Sequence, residues 1–277
     1  MTDLSFKPLV AICFLVCSLV AKAQGDLLIT PKRLVFDGTK RSEEVNLANI
    51  GKDTTTYSIS FVQYKMDEKG LFTAISSEDT SLKFADKNLR FFPRTVTLAP
   101  NEAQTIKVQL IKANELAPGE YRSHLFFKNV LNTTALGEEA KPGTPAQGIS
   151  VSIKPVFGIS IATIIRIGET NVTGSLSNVK FTPATPTTDP YLQFSINRSG
   201  NISLYGDISV QYVDANNKST EVALMKGVAV YTPNAFRLVK LPLKQIQGMN
   251  YNSGKLVVVF SDPAARNSTI CKTELVF

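Results

Sequence analysis

From Ile149 to Ile161 every odd position carries an apolar side chain: Ile149, Val151, Ile153, Pro155, Phe157, Ile159 and Ile161. The even positions between them are mostly small or polar. Successive side chains on a β-strand point to opposite faces, so this run shows one apolar face for about 13 residues. A usual strand is about half that length. Two readings stay open. In one, a long strand crosses two domains with all its apolar residues buried. In the other, the N-terminal half projects beyond its own core and lends a strand to a partner, with backbone bonds giving affinity and alternate side chains filling pockets. Lys154 is the one charge that guards this edge.

The rest of the chain keeps the same period. No apolar i, i+3, i+4, i+7 pattern persists after residue 24, and alternating runs recur between turn residues. Strands are expected at Leu27–Phe36, Glu44–Asn49, Thr56–Gln63, Gln104–Ile111, Tyr121–Val130 and Ile149–Ile167. A second set is expected at Gly174–Phe181, Tyr191–Asn197, Ser203–Tyr212, Glu221–Tyr231, Phe236–Leu243, Lys255–Phe260 and Thr269–Phe277. Asp37-Gly38, Pro118-Gly119 and Ser199-Gly200-Asn201 are among the turns. Short strands at this spacing predict an all-β protein of two tandem immunoglobulin-like β-sandwiches. The expected domains are 24–168 and 169–277. Asn132 to Gln147, with two glycines and two prolines, reads as a long mobile loop. Thr182 to Pro190 reads as a stiff, extended connection.

At the start, Lys7 precedes an apolar run from Pro8 to Val20, and Ala21-Lys22-Ala23 fits a small-x-small cleavage site. This layout predicts a secretory signal peptide over residues 1–23. The run is shorter than the about 20 residues a membrane-spanning helix needs. Removing it takes away Cys13 and Cys17 and leaves Cys271 without a disulfide partner. The net charge of +7 is scattered, with no basic run interleaved with aromatics, so no nucleic-acid partner is expected.

Catalytic and metal chemistry find little support. His124 is the only histidine, which excludes a cluster of His ligands, and no phosphate loop or Gly-x-Ser-x-Gly elbow is present. No metal, no small-molecule cofactor and no enzymatic activity are expected. His124 lies in an alternating strand beside Ser123, where it is read as facing solvent or packing at an edge. The Asn-x-Ser/Thr triplets at Asn132, Asn171, Asn201, Asn217 and Asn267 are read as chance in an Asn- and Thr-rich surface.

Three segments carry a family likeness. Leu27 through Gly38, with Arg33-Leu34-Val35-Phe36-Asp37-Gly38, resembles the first strand of the PapD-like periplasmic pilus chaperones. Phe92-Pro93-Arg94 and Leu98-Ala99-Pro100-Asn101-Glu102-Ala103-Gln104-Thr105-Ile106-Lys107-Val108 resemble a second family segment. Leu116 to Phe127 resembles a third in outline. The likeness covers most of residues 27–167 and thins in the second half to Leu256–Phe260 and Cys271.

The resemblance implies a periplasmic chaperone that binds and stabilises exported subunits by donating an alternating apolar strand to their incomplete fold and delivers them for assembly. The partners are pilin-type or other exported subunits lacking a final strand. The donor strand is carried by Ile149, Val151, Ile153, Phe157, Ile159 and Ile161, and Arg33 anchors the subunit's C-terminal carboxylate. Arg166 is read as an interdomain contact. The family's second cleft cation, a lysine, is replaced by Ala162 if Arg166 is aligned with the family's strand-end arginine. The family's interdomain acids are aligned with Ser123 and Asn250, and one disulfide position with Ser261. Whether an outer-membrane usher takes part, and whether the exposed edge self-associates, stay open. A structural or adhesive surface protein built of tandem immunoglobulin-like domains is the competing reading. A secreted hydrolase is a third, for which no catalytic cluster is found.

Overall fold

The computed structural model describes residues 26–277 except 38, 77, 78, 80, 131–155, 247, 248 and 250. The expected signal peptide, the loop at 132–147, Ile149, Val151, Ile153, Lys154 and Asn250 lie outside the described residues. Among those described, the regular structure is all β apart from two single 3-10 turns, Asp86–Asn88 and Ala113–Glu115.

The first sandwich contains β1 (Leu27–Thr30), β2 (Arg33–Phe36), β3 (Ser42–Asn49), β4 (Thr55–Met66), β5 (Phe72–Ile75), β6 (Leu89–Phe92), β7 (Thr95–Leu98), β8 (Ala103–Leu110), β9 (Gly119–Val130) and β10 (Gly158–Ile167). One of its sheets runs β1-β3-β8-β6. The other runs β2-β10-β9-β4-β5, with β7 also paired to β4. The second sandwich contains β11 (Val172–Thr182), β12 (Tyr191–Gly200), β13 (Leu204–Val213), β14 (Ser219–Val230), β15 (Phe236–Pro242), β16 (Lys255–Asp262) and β17 (Ser268–Val276). Its sheets run β11-β12-β15 and β14-β13-β16-β17. The all-β, two-sandwich, immunoglobulin-like architecture is therefore as the alternation demanded.

Each sandwich has its own core. Phe36, Leu47, Leu98, Ile106, Leu125 and Phe127 meet between the first pair of sheets. Leu192, Ile196, Ile208, Val210, Leu256 and Phe260 meet between the second pair. Burying a side chain of this size contributes about 1.5–3 kcal/mol, which explains why the alternating positions dictate register.

Three local expectations needed correction. The segment Leu27–Phe36 is two strands. Proline has no N–H to give a ladder, and the chain changes sheets at Pro31 and Lys32. β1 pairs antiparallel with β3, whereas β2 pairs parallel with β10. Strands β5, β6 and β7 were not expected, because four residues are too few to show a period. Thr182 to Pro190 is not simply extended. Thr185 and Thr188 exchange backbone hydrogen bonds of 2.9 and 3.3 Å, and their hydroxyls meet at 2.8 Å, so the segment folds back on itself.

The change of sheet also changes which side chains turn inward. In β1 the odd positions Leu27 and Ile29 are buried, and in β2 the even positions Leu34 and Phe36 are. Arg33 and Val35 are thereby turned out of the first core and toward the second domain.

Candidate functional site

The outer face of the β2-β10-β9-β4 sheet packs against the second domain, and alternation decides what it presents. In β9 the side chains of Leu125 and Phe127 enter the core, so Glu120, Arg122 and His124 line the opposite face. In β10, Ile161 and Ile165 enter the core, while Ala162 and Ile164 join Met66, Ala229 and Tyr231 between the domains. Register sets Arg33 beside Ala162, and Ala162 beside His124.

At one end of this interface, Glu120 ties the domains together. Arg166, its cross-strand neighbour, donates from Nε to Glu120 Oε2 at 3.1 Å and from Nη2 to the Ser203 carbonyl at 3.3 Å. The Ser203 amide donates to Glu120 Oε2 at 3.0 Å, and the Ser203 hydroxyl donates to Oε1. The Thr232 hydroxyl adds a 3.3 Å bond to Oε1. The Glu120 side chain is fully buried, so both its oxygens are satisfied by protein alone. Arg166 thus bonds across the domains. Glu120 was not singled out from sequence, where Ser123 and Asn250 were aligned with the family's interdomain acids and those acids were read as missing. Ser123 instead accepts from the Ala85 and Asp86 amides at 3.0 and 3.1 Å, within its own domain.

At the other end the domains part to leave a cleft of about 610 Å³. Ser160 and Ala162 of β10 form its floor, and Tyr205, Ala229 and Tyr231 of the second domain stand opposite. Its charged lining is cationic: Lys32, Arg33, Lys226 and Arg237, with no carboxylate among the described lining residues. Arg33 stacks on Tyr205 with its Cζ 4.1 Å from the ring centroid. Its Nε is buried and has no hydrogen-bond partner. Burial lowers the Arg33 pKa, yet a guanidinium keeps its charge at any physiological pH. Arg122 lies behind the cleft with its Cζ 3.9 Å from the Tyr231 ring centroid, and its Nη1 is also unpartnered. Burial raises the Tyr231 phenol's pKa, against the pull of Arg33 and Arg122.

His124 is neither solvent-facing nor at an edge. It is 5% exposed in a strand paired on both sides, and it packs edge-on against Tyr64, Phe72 and Tyr231. The expectation failed because Tyr64 and Phe72 of its own domain and Tyr231 of the second cover this face. Burial, with the Arg122 charge adding to it, pushes the His124 pKa down to about 3. The imidazole is therefore neutral, and its Nδ1 has no partner. Ser123 and His124 point to opposite faces of the sheet.

The remaining predicted residues lie beyond the cleft, Ile159 and Ile161 on β10 and Phe157 just before it, so among the described residues the strand expected from Ile149 begins only at Gly158. This strand pairs with β9 along its whole length, but with β2 only from Ala162 to Ile165. Gly158 to Ile161 therefore have an open side among the described residues. Phe157 is 65% exposed and Ile159 38% exposed, whereas Ile161 is only 4% exposed and belongs to the first domain's core. Ile161 is committed to its own sandwich and is not free for a partner.

No family model matches the chain, and no curated protein does so at a significant level. Among solved structures, the chain is similar to the YadV chaperone, with 12% identity, 91% of this chain and 100% of that chain covered, and a TM-score of 0.44. It is also similar to the Pseudomonas aeruginosa CupB2 chaperone, with 9% identity, 90% and 100% covered, and a TM-score of 0.45. The Salmonella enterica SafA pilin in complex with the SafB chaperone matches at 10% identity, 93% and 99% covered, and a TM-score of 0.42. These likenesses are distant.

Proposed function

We propose that this protein is a periplasmic chaperone for exported pilin-type subunits, acting by lending the open edge of β10 to their unfinished sandwiches. The observation that carries this reading is the continuity of edge and cleft. Among the described residues, the stretch Gly158–Ile161, open on the side away from β9, leads directly to Ala162, where Arg33 stands at the head of β2. Unprotected apolar edges are liabilities that folded proteins usually blunt, and this one keeps Phe157 and Ile159 exposed.

Geometry suggests the direction of the guest strand. β2 runs parallel to β10 and begins at Arg33. A guest strand occupying the same row, parallel to β10, would end where β2 begins, with its terminal carboxylate at the Arg33 guanidinium. An antiparallel guest would bring its ammonium group to the same cation, which is unfavourable. The planar fork of arginine suits both oxygens of a carboxylate, and Arg33 lines the cleft at the end of the open row. Burial of Phe157 and Ile159 in the guest would contribute about 1.5–3 kcal/mol each. The segment likeness around Arg33 and Leu98–Val108 supports the same reading.

The test is co-purification from periplasmic extract. The wild-type chain is expected to hold an exported subunit in a one-to-one complex. Phe157→Asp combined with Ile159→Asp should abolish it, and Arg33→Gln should weaken it by about 2–5 kcal/mol. A complex that survives the double Asp variant unchanged would sink the proposal.

A further inference from the structure

The cleft contains more cationic character than one terminal carboxylate requires. Lys32 and Arg33 come from the first domain, and Lys226 and Arg237 from the second. Both arginines lie close enough to Tyr231 for its phenol to bear on them electrostatically. Each has a buried Nε without a hydrogen-bond partner. A terminal carboxylate seated at Arg33 leaves the Arg237 donor unmet.

Arg237 is held in place as a receptor group would be. Its Nη1 donates to the Ala229 carbonyl at 3.0 Å. Its guanidinium rests against Gly70, in the turn between β4 and β5, where an added Cβ would lie 2.4 Å from Nε. Gly70 has a φ of +81°, so both its conformation and this close approach favour glycine. Asp67 lies near enough to bear on Arg237, but they form no ion pair. Its Oδ1 instead accepts from the Lys69 and Leu71 amides at 2.9 and 2.8 Å. His124, 5% exposed, lines the same cleft and leaves Nδ1 unpartnered. Among the described residues, three buried polar atoms on the side chains lining this one opening thus lack a hydrogen-bond partner.

We infer that Arg237, with Lys226, forms a second anion subsite that selects guest strands carrying a carboxylate side chain at their C-terminal residue. This inference rests on the proposed seating of the terminal carboxylate at Arg33 and adds a sequence preference to it. The main-chain carboxylate takes Arg33, and the side-chain carboxylate of the same residue reaches across the floor at Ala162 to the second domain. Charge complementarity decides the occupant, because a neutral terminal residue would leave the second-domain cations unopposed.

Four versions of one ten-residue peptide of alternating Val and Thr test this by NMR titration of the purified protein, up to millimolar concentration. The peptide ends in Glu or Gln, each as free acid and as amide. The Glu free acid is expected to bind about tenfold more tightly than the Gln free acid. Arg237→Gln should remove that difference while keeping the preference for free acid over amide. Arg33→Gln should remove the acid-over-amide preference while keeping the preference for Glu. Equal binding of the Glu and Gln free acids, with amidation still harmful, would overturn this inference and leave the chaperone reading standing. If neither change matters, or no peptide binds, the inference falls together with the seating at Arg33. Inorganic phosphate is titrated alone as a further arm. Phosphate shifts that depend on Arg237, with no Glu preference, would assign the subsite to a free anion and overturn the proposed client class.

Discussion

His124 sits in a sheet face covered by another domain, and burial together with the neighbouring Arg122 charge holds its folded-state pKa near 3. An unfolded histidine titrates near 6.5, so between these values the unfolded chain binds more protons. Stability contributed by the neutral His124 is fully present above about pH 6.5 and is lost as pH falls toward 3. Between pH 7 and pH 5, the wild type is expected to lose about 2 kcal/mol more than His124→Asn. Urea unfolding midpoints of both proteins at the two pH values measure this difference. Parallel losses would remove His124 from the account. The histidine's place in a strand was legible from the alternation around it. Its burial was not, because Glu120, Arg122 and His124 are polar at every second position and read as a solvated face.

At the scale of the strand, inward and outward positions have very different weights. Phe36 is wholly buried in the first core, while Phe92, at the end of β6, is 77% exposed. Phe36→Ala should cost about 3–5 kcal/mol, and Phe92→Ala should stay within about 0.5 kcal/mol, both read from chemical denaturation. Similar losses at the two sites would contradict the sandwich arrangement. Long strands such as β4, β9 and β13 were legible because alternation persists along them. Strands β5, β6 and β7 were not, since four residues carry at most two inward side chains and depend on their neighbours for pairing. The break between β1 and β2 shows a related limit. Pro31 marks an interruption, but only the pairing partners reveal that the chain has passed to the other sheet and turned Arg33 outward.

For the whole molecule, the junction carries a buried charge, Glu120, held by Ser203, Thr232 and Arg166. Removing one member of a buried pair leaves the other uncompensated, typically at about 3–5 kcal/mol. Glu120→Ala is therefore expected to weaken the domain junction by about that amount. Urea unfolding should separate into two steps while the far-ultraviolet spectrum stays that of β-sheet, and small-angle scattering should show a broader distribution of shapes. A single unshifted transition would show that other contacts govern the junction. The amino-acid sequence by itself determined the period of two, hence an all-β chain in two sandwiches, and it marked the alternating run ahead of β10, while Arg33 was implied by the family resemblance alone. Tertiary structure alone decided what each outward face meets. Alternation divides a strand's side chains between two sides but carries no information about what covers the outer one. At this junction the cover comes from residues such as Ser203 and Tyr231, far along the chain. Their approach buries Glu120 and His124 and gathers Arg33 and Arg237 around a single cleft.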